Sequence, residues 1–175
     1  MAMMFAGARS QNESHPAAGA ARIEAIVEEI PAAIHPESLA LIAFWEKHRA
    51  GDRLLRRADL PCREAAPLLP SVFVLEPTDE TGTDWRLRLV GTKLTRWLDF
   101  DPTGLTISGF YHPDHIAHNA EIYRMVTRER RPHVTQGRLG GVNRDFLKLE
   151  IVHLPMEGAS QDDRLLLGCI SIFEQ

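Results

Sequence analysis

The feature that most constrains the fold is the clustering of the predicted strands, which do not alternate regularly with helices. Residues 85–89 alternate apolar and arginine side chains, and residues 146–154 repeat that two-residue period, which is typical of strands with one polar face. Residues 71–75 are a short apolar run, and residues 165–173 are apolar on both faces, which predicts a central strand. Clustered strands favour an α+β fold with an antiparallel sheet over a parallel α/β fold.

Helical segments are expected before and between these strands. A helix over residues 36–49 begins at Pro36, a residue that suits the first helical position. A short helix is predicted over residues 92–98, and a longer one over residues 113–130 with His112 as its cap. About three strands are expected to follow the long helix.

The N-terminal region is interpreted as two segments outside the domain proper. Residues 1–21, rich in Ala, Gly and Ser, are expected to form a flexible tail. Residues 22–35 are predicted to form an amphipathic helix, whose stripe is Ile23, Ile26, Val27 and Ile30. So short a helix is marginal alone in water, so its stripe needs a partner. We expect a homodimer through this helix, with residues 36–175 as the folded domain.

Composition excludes several classes of protein. The chain has 175 residues, is 44% hydrophobic, and carries 20 Lys and Arg against 24 Asp and Glu, for a net charge of −4. This balance lacks the basic signature of a nucleic-acid binder. No apolar run reaches the roughly 18 residues that a membrane span needs, so no membrane partner is expected. Two cysteines are too few for a disulfide framework, and a cytoplasmic location is expected.

Several blocks of sequence resemble one known family. They are L-I-A-F-W-E-K-H-R-A-G-D at 41–52, R-A-D-L at 57–60, L-L-P-S-V-F-V-L-E at 68–76, W-R-L-R-L-V-G-T-K-L at 85–94, D-P-T-G-L-T-I at 101–107, L-P-M at 154–156 and L-L-G-C-I at 166–170. Together they resemble the bacterial PAS-like domain family found as short, often stand-alone proteins in alphaproteobacteria. The resemblance covers roughly residues 38–175.

This resemblance implies a five-stranded antiparallel sheet with helices packed on one face, enclosing a pocket. Such domains sense small molecules, redox state or light, or mediate dimerisation and partner binding, and most are not enzymes. The resemblance therefore implies a sensory or adaptor module in signal transduction that acts on a separate protein partner. The alternatives are a small-ligand carrier, a haem- or flavin-binding sensor, or a small enzyme that uses the same cavity.

The resemblance also places candidate ligand-binding residues on the helical side of the pocket. They are Trp97, Phe110, His115, Asn119 and Tyr123. A ligand pocket combines apolar walls with a few polar groups for orientation, and His115, Asn119 and Tyr123 could supply those groups. The competing interpretation is that all five residues simply pack the core.

Three histidines follow a three-residue spacing at His112, His115 and His118. Positions three apart on a helix can offer two imidazoles to one metal ion, but no Cys/His cluster or H-E-x-x-H motif completes a site. We therefore predict no metal site and no catalytic residue. A histidine in the pocket could instead bind a ligand or haem iron, and the cofactor stays unassigned.

Overall fold

The computed structural model describes residues 24–60, 62–140, 147–160 and 163–173. The strands are β1 (Glu24–Ile30), β2 (Val72–Pro77), β3 (Trp85–Val90), β4 (His133–Gly140), β5 (Leu147–Glu157) and β6 (Arg164–Ile172). The helices are α1 (Pro36–His48), α2 (Thr92–Leu98), α3 (Ile107–Phe110) and α4 (Pro113–Glu129), with short 3₁₀ turns at Arg57–Asp59 and Leu69–Ser71. No helix in these ranges is long and apolar enough to cross a membrane.

All six strands belong to one antiparallel sheet in the order β1-β4-β5-β6-β2-β3. The predicted α+β class is therefore confirmed, and β6 lies in the interior of the sheet as its two apolar faces predicted. The sheet has six strands rather than the five that the resemblance implied. The extra pairing comes from β1, which continues the sheet beyond β4.

Helices cover both faces of the sheet. Helices α2, α3 and α4 pack on one face, over a core cluster that includes Leu149 and Leu166. Helix α1 packs on the other face, over a cluster that includes Val152 and Leu167. The expectation of helices on one face is wrong for α1, because successive apolar residues of β5 and β6 point to opposite faces and each face must be shielded from water.

The prediction of a helix over residues 22–35 is wrong where the structure describes that segment. Residues 24–30 form β1, which pairs with β4 from Glu24 opposite Gly140 to Ile30 opposite Val134. Val27 packs toward the α2–α4 face and Ile30 toward the α1 face, which is the alternation of a strand. Pairing with β4 outweighs the weak helical preference of so short a β-branched segment. The predicted tail over residues 1–21 lies outside the described residues.

A buried carboxylate holds the segment between β1 and α1 against the sheet. The two carboxylate oxygens of Glu150 on β5 accept hydrogen bonds from the backbone N–H groups of Ile34 and His35, each at 3.0 Å. Gln136 on β4 donates to the same carboxylate at 3.2 Å. Burial works to raise the pKa of Glu150, but these donors outweigh it and hold the pKa below its usual range. The start of α1 is thereby fixed to the centre of the sheet.

Candidate ligand cavity

An apolar cavity lies between the sheet and helices α2, α3 and α4. Its aromatic walls are Phe73, Trp97, Phe110, Tyr111 and Tyr123, and aliphatic side chains from the sheet and α2 complete it. The cavity volume is about 50 Å³, which is room for about four water molecules. A flavin or a haem does not fit a space of this size. The cavity therefore suits a ligand, or part of a ligand, of only a few non-hydrogen atoms.

Four of the five candidate residues line this cavity, namely Trp97, Phe110, Asn119 and Tyr123. His115 does not line it. Its backbone carbonyl instead accepts a hydrogen bond of 2.8 Å from the side-chain amide of Asn119, one helical turn later. The prediction that His115 lines the pocket is therefore wrong, because the pocket-facing side of α4 is formed by Asn119 and Tyr123.

Close backbone packing sets α2 over the cavity. Gly91 precedes α2, and a Cβ atom there would lie 2.3 Å from the carbonyl oxygens of Leu69 and Pro70. Only glycine permits this approach. A second glycine, Gly168 on β6, has the ring of Phe73 above it, where a Cβ atom would lie 2.2 Å from the ring carbon Cζ. Two glycines thus fix one helix and one aromatic wall of the cavity.

His153 on β5 is a cavity residue that the sequence analysis missed. Its side chain is buried, with 2% of the residue exposed, and its Nδ1 atom has no hydrogen-bond partner in the part of the chain that the structure describes. Burial, with a smaller contribution from nearby His133, lowers the pKa of His153 to about 3. The imidazole is therefore neutral at physiological pH. The signal was present in the sequence, because His153 falls in phase with the buried Leu149 and Ile151 of the same strand.

Two tyrosines provide further polar groups in the cavity wall. Burial raises the pKa of Tyr111, and it raises that of Tyr123 well above the ordinary value, where the neighbouring Tyr111 adds to the effect. The two phenols lie close enough to influence each other's pKa. Tyr123 also packs edge-on against Trp85, with ring centroids 5.5 Å apart. Both phenols therefore stay protonated, and the ring of Tyr123 is also held by its packing against Trp85.

Trp97 differs from the other tryptophans in its hydrogen bonding. The indole N–H of Trp45 donates to the carbonyl of Pro155 at 2.8 Å, and that of Trp85 donates to the carbonyl of Gly82 at 3.0 Å. The Nε1 atom of Trp97 is buried and has no partner among the described residues. The cavity wall thus contains two residues with unpartnered buried polar atoms, Trp97 and His153.

The other histidines of the predicted cluster have different surroundings. His112 caps α4, and its Nδ1 atom accepts a hydrogen bond of 3.4 Å from the backbone N–H of Asp114, as the cap prediction required. His118 is exposed on α4. Within residues 24–60, 62–140, 147–160 and 163–173, no group of three or more His, Cys, Asp or Glu side chains could hold a metal ion.

Comparison with known proteins gives one match. A family model described as a PAS domain matches residues 33–171, which is well over half of the chain. The matched range includes α1, the cavity and all strands except β1. No curated protein and no solved structure shows a significant match.

Proposed function

Because the chain belongs to the PAS domain family, a family of sensory and signalling modules, we propose that it senses a small molecule held in the cavity beneath α2, α3 and α4. One observation carries this proposal. The wall of an apolar cavity contains two residues, Trp97 and His153, whose buried polar atoms have no hydrogen-bond partner within the described ranges. A buried donor or acceptor without a partner costs about 1–3 kcal/mol, and a ligand that supplies the missing partner recovers that free energy.

The chemistry of the wall restricts the part of the ligand that enters the cavity. The walls are aromatic and aliphatic, and the His153 imidazole is neutral, so nothing inside the cavity compensates a full charge. The enclosed part of the ligand is therefore small and apolar. A single oxygen or nitrogen can accept the Trp97 N–H or pair with His153.

In this proposal the domain binds its ligand without transforming it and acts on a separate protein partner in the cytoplasm. The haem- and flavin-based alternatives need a cavity far larger than about 50 Å³. An absorption spectrum of the freshly purified protein separates the interpretations. The proposal expects no visible band, whereas a flavin or haem band would contradict it.

Blocking the cavity tests the proposal directly. Ile170 lines the cavity, and Leu165 lies on the same strand but packs toward the opposite face. Ile170→Phe adds volume inside the cavity, and Leu165→Phe is the matched control for the cost of a larger side chain. Small molecules released by denaturing each purified protein are compared by mass spectrometry. We expect a compound that is present with the wild type and with Leu165→Phe but depleted with Ile170→Phe. Equal recovery from all three folded proteins would contradict the proposal.

A further inference from the structure

Trp97 separates the cavity from a second depression on the protein surface. This open groove, called here the cationic groove, is lined by Pro70, Thr92, Lys93, Arg96, Trp97 and Ile172. Trp97 lines both the cavity and the cationic groove, so its indole is a wall that they share.

The cationic groove carries positive charge on a protein that is acidic as a whole. Its described lining residues include two cations and no carboxylate. The ammonium group of Lys93 is 2.6 Å from a carboxylate oxygen of Glu37 on α1. In the part of the chain that the structure describes, the guanidinium of Arg96 pairs with no carboxylate. Arg96 is therefore a cation free to bind an anion from solution.

We infer that the ligand is a small amphipathic carboxylate, with its alkyl or ring portion in the cavity and its carboxylate in the cationic groove on Arg96. The inference rests on the proposed function and names the chemical class of the ligand. A carboxylate inside the cavity would lose its hydration without compensation, but in the cationic groove it stays solvated and paired. In the inferred complex the same carboxylate also accepts from the Trp97 N–H, which has no partner among the described residues.

Arginine suits this role because its planar guanidinium binds a carboxylate through two parallel hydrogen bonds. Lys93 adds positive charge beside it, although Glu37 already offsets part of that charge. An uncharged ligand of equal length would fill the cavity but leave Arg96 and the Trp97 N–H unused. The structure thus predicts a preference for a carboxylate over the corresponding alcohol.

The test is a nuclear magnetic resonance titration of the full-length ¹⁵N-labelled protein with hexanoate and, separately, with hexan-1-ol. Each tryptophan contributes one indole N–H signal. The signals of Trp45 and Trp85 are internal controls, because both indoles are buried and already hydrogen-bonded. We expect hexanoate to shift the Trp97 signal selectively, and to bind about tenfold more tightly than hexan-1-ol, as a charge-assisted hydrogen bond allows.

Three variants identify the groups that bind the carboxylate. Arg96→Gln should weaken hexanoate binding by about fivefold, the size of an exposed charge interaction, and leave hexan-1-ol unchanged. Trp97→Phe keeps an aromatic wall but removes the N–H donor. It should also lower the preference for hexanoate over hexan-1-ol. Arg128→Gln is the matched control, because Arg128 is another exposed arginine, on α4, that does not line the cationic groove. It should bind both compounds as the wild type does.

The outcomes separate this inference from the proposed function. Equal affinities for hexanoate and hexan-1-ol, both abolished by Ile170→Phe, would overturn the carboxylate assignment and leave a ligand cavity in place. A preference for hexanoate that is as large in Arg96→Gln as in the wild type would also overturn it. If neither compound shifts the Trp97 signal or any other signal from the cavity, the inference fails, while the small molecules recovered from the purified protein still decide the proposed function.

Discussion

His153 is a histidine that the fold keeps uncharged. It lies on the cavity side of β5, with its ring centroid 5.5 Å from that of Tyr123 and 6.1 Å from that of Phe73. Its nearest histidine, His133, is the cross-strand neighbour on β4, with ring centroids 6.3 Å apart. A proton on His153 would be surrounded by aromatic rings and would face another imidazole, so the folded state resists protonation.

This resistance makes the stability of the protein depend on pH. The pKa of His153 is about 3 in the folded protein and near 6.5 when the residue is exposed to water. Below pH 6.5 this histidine binds a proton in the unfolded chain but not in the folded chain. The free energy of unfolding therefore falls as the pH falls from 6.5 toward 3. Between pH 7.5 and pH 5, the free energy of unfolding should therefore fall by about 2 kcal/mol less in His153→Phe than in the wild type.

Urea denaturation at several pH values measures this effect. His112→Gln is the control, because the His112 side chain is 41% exposed at the start of α4. His133 is present in both variants, so its own titration cancels from the comparison. If the free energy of unfolding depended on pH identically in the wild type and in His153→Phe, His153 would have to become protonated in the folded protein as readily as in the unfolded chain.

At the scale of elements, one ion pair fastens the end of α4. Arg130 follows the helix in the left-handed backbone conformation, with φ of 55°. Its guanidinium donates to a carboxylate oxygen of Glu157 at 3.0 Å and to the backbone carbonyl of Asp52. The side chain of Glu157 is only 5% exposed, and it also accepts from the backbone N–H of Leu54. The ion pair joins α4, β5 and the loop after α1.

Removing Arg130 should therefore destabilise the protein, and two variants separate the causes. Arg130→Ala strips the cation from a nearly buried carboxylate, which should lower the free energy of unfolding by about 2 kcal/mol. Arg130→Gly loses the same cation but relieves the left-handed backbone, so its loss should be smaller by about 1 kcal/mol. Thermal and urea denaturation measure both. Two variants as stable as the wild type would mean that the ion pair does not hold α4.

Strand β1 shows why short elements are the hardest to assign from sequence. Its branched apolar residues fit a helical stripe as well as a strand, and seven residues are too few to distinguish the two periods. Strand β4 was not located, because its polar residues and two glycines gave no alternation of apolar and polar positions. By contrast α4 was predicted almost to the residue, since its cap and apolar face are both local signals.

At the scale of the whole molecule, the fold class could be predicted because it depends on the order and clustering of elements. The location of the cavity was predicted in part, since four of its five candidate residues line it. The cavity volume, the unpartnered N–H of Trp97 and the isolation of His153 could not be predicted. They arise from residues that are distant in sequence and meet only in the folded chain.

The expected homodimer stays a prediction, but residues 24–30 do not form the helix proposed for it. Ile30 packs against the core cluster on the α1 face of the same molecule. Ile30→Asp should therefore lower the free energy of unfolding by about 2 kcal/mol, because it sets a charge against a partly buried apolar surface. The loss should be the same at low and high protein concentration.

Light scattering and urea denaturation at two concentrations check this expectation. Ile34→Asp is the control, since Ile34 is 59% exposed and lies outside both core clusters. A wild-type dimer that Ile30→Asp converts into equally stable monomers would contradict the intramolecular role of Ile30 and restore an interface at this segment.

The ion pair between Lys93 and Glu37 connects elements that cover opposite faces of the sheet, α2 on one side and α1 on the other. Glu37 also accepts a hydrogen bond of 3.2 Å from the hydroxyl of Ser71, just before β2. In the inferred complex, a carboxylate in the cationic groove competes with Glu37 for the same ammonium group. Because coupled binding equilibria are reciprocal, this effect holds in both directions. A protein that repositions α1 changes the affinity for the ligand, and the ligand changes the affinity for that protein by the same factor.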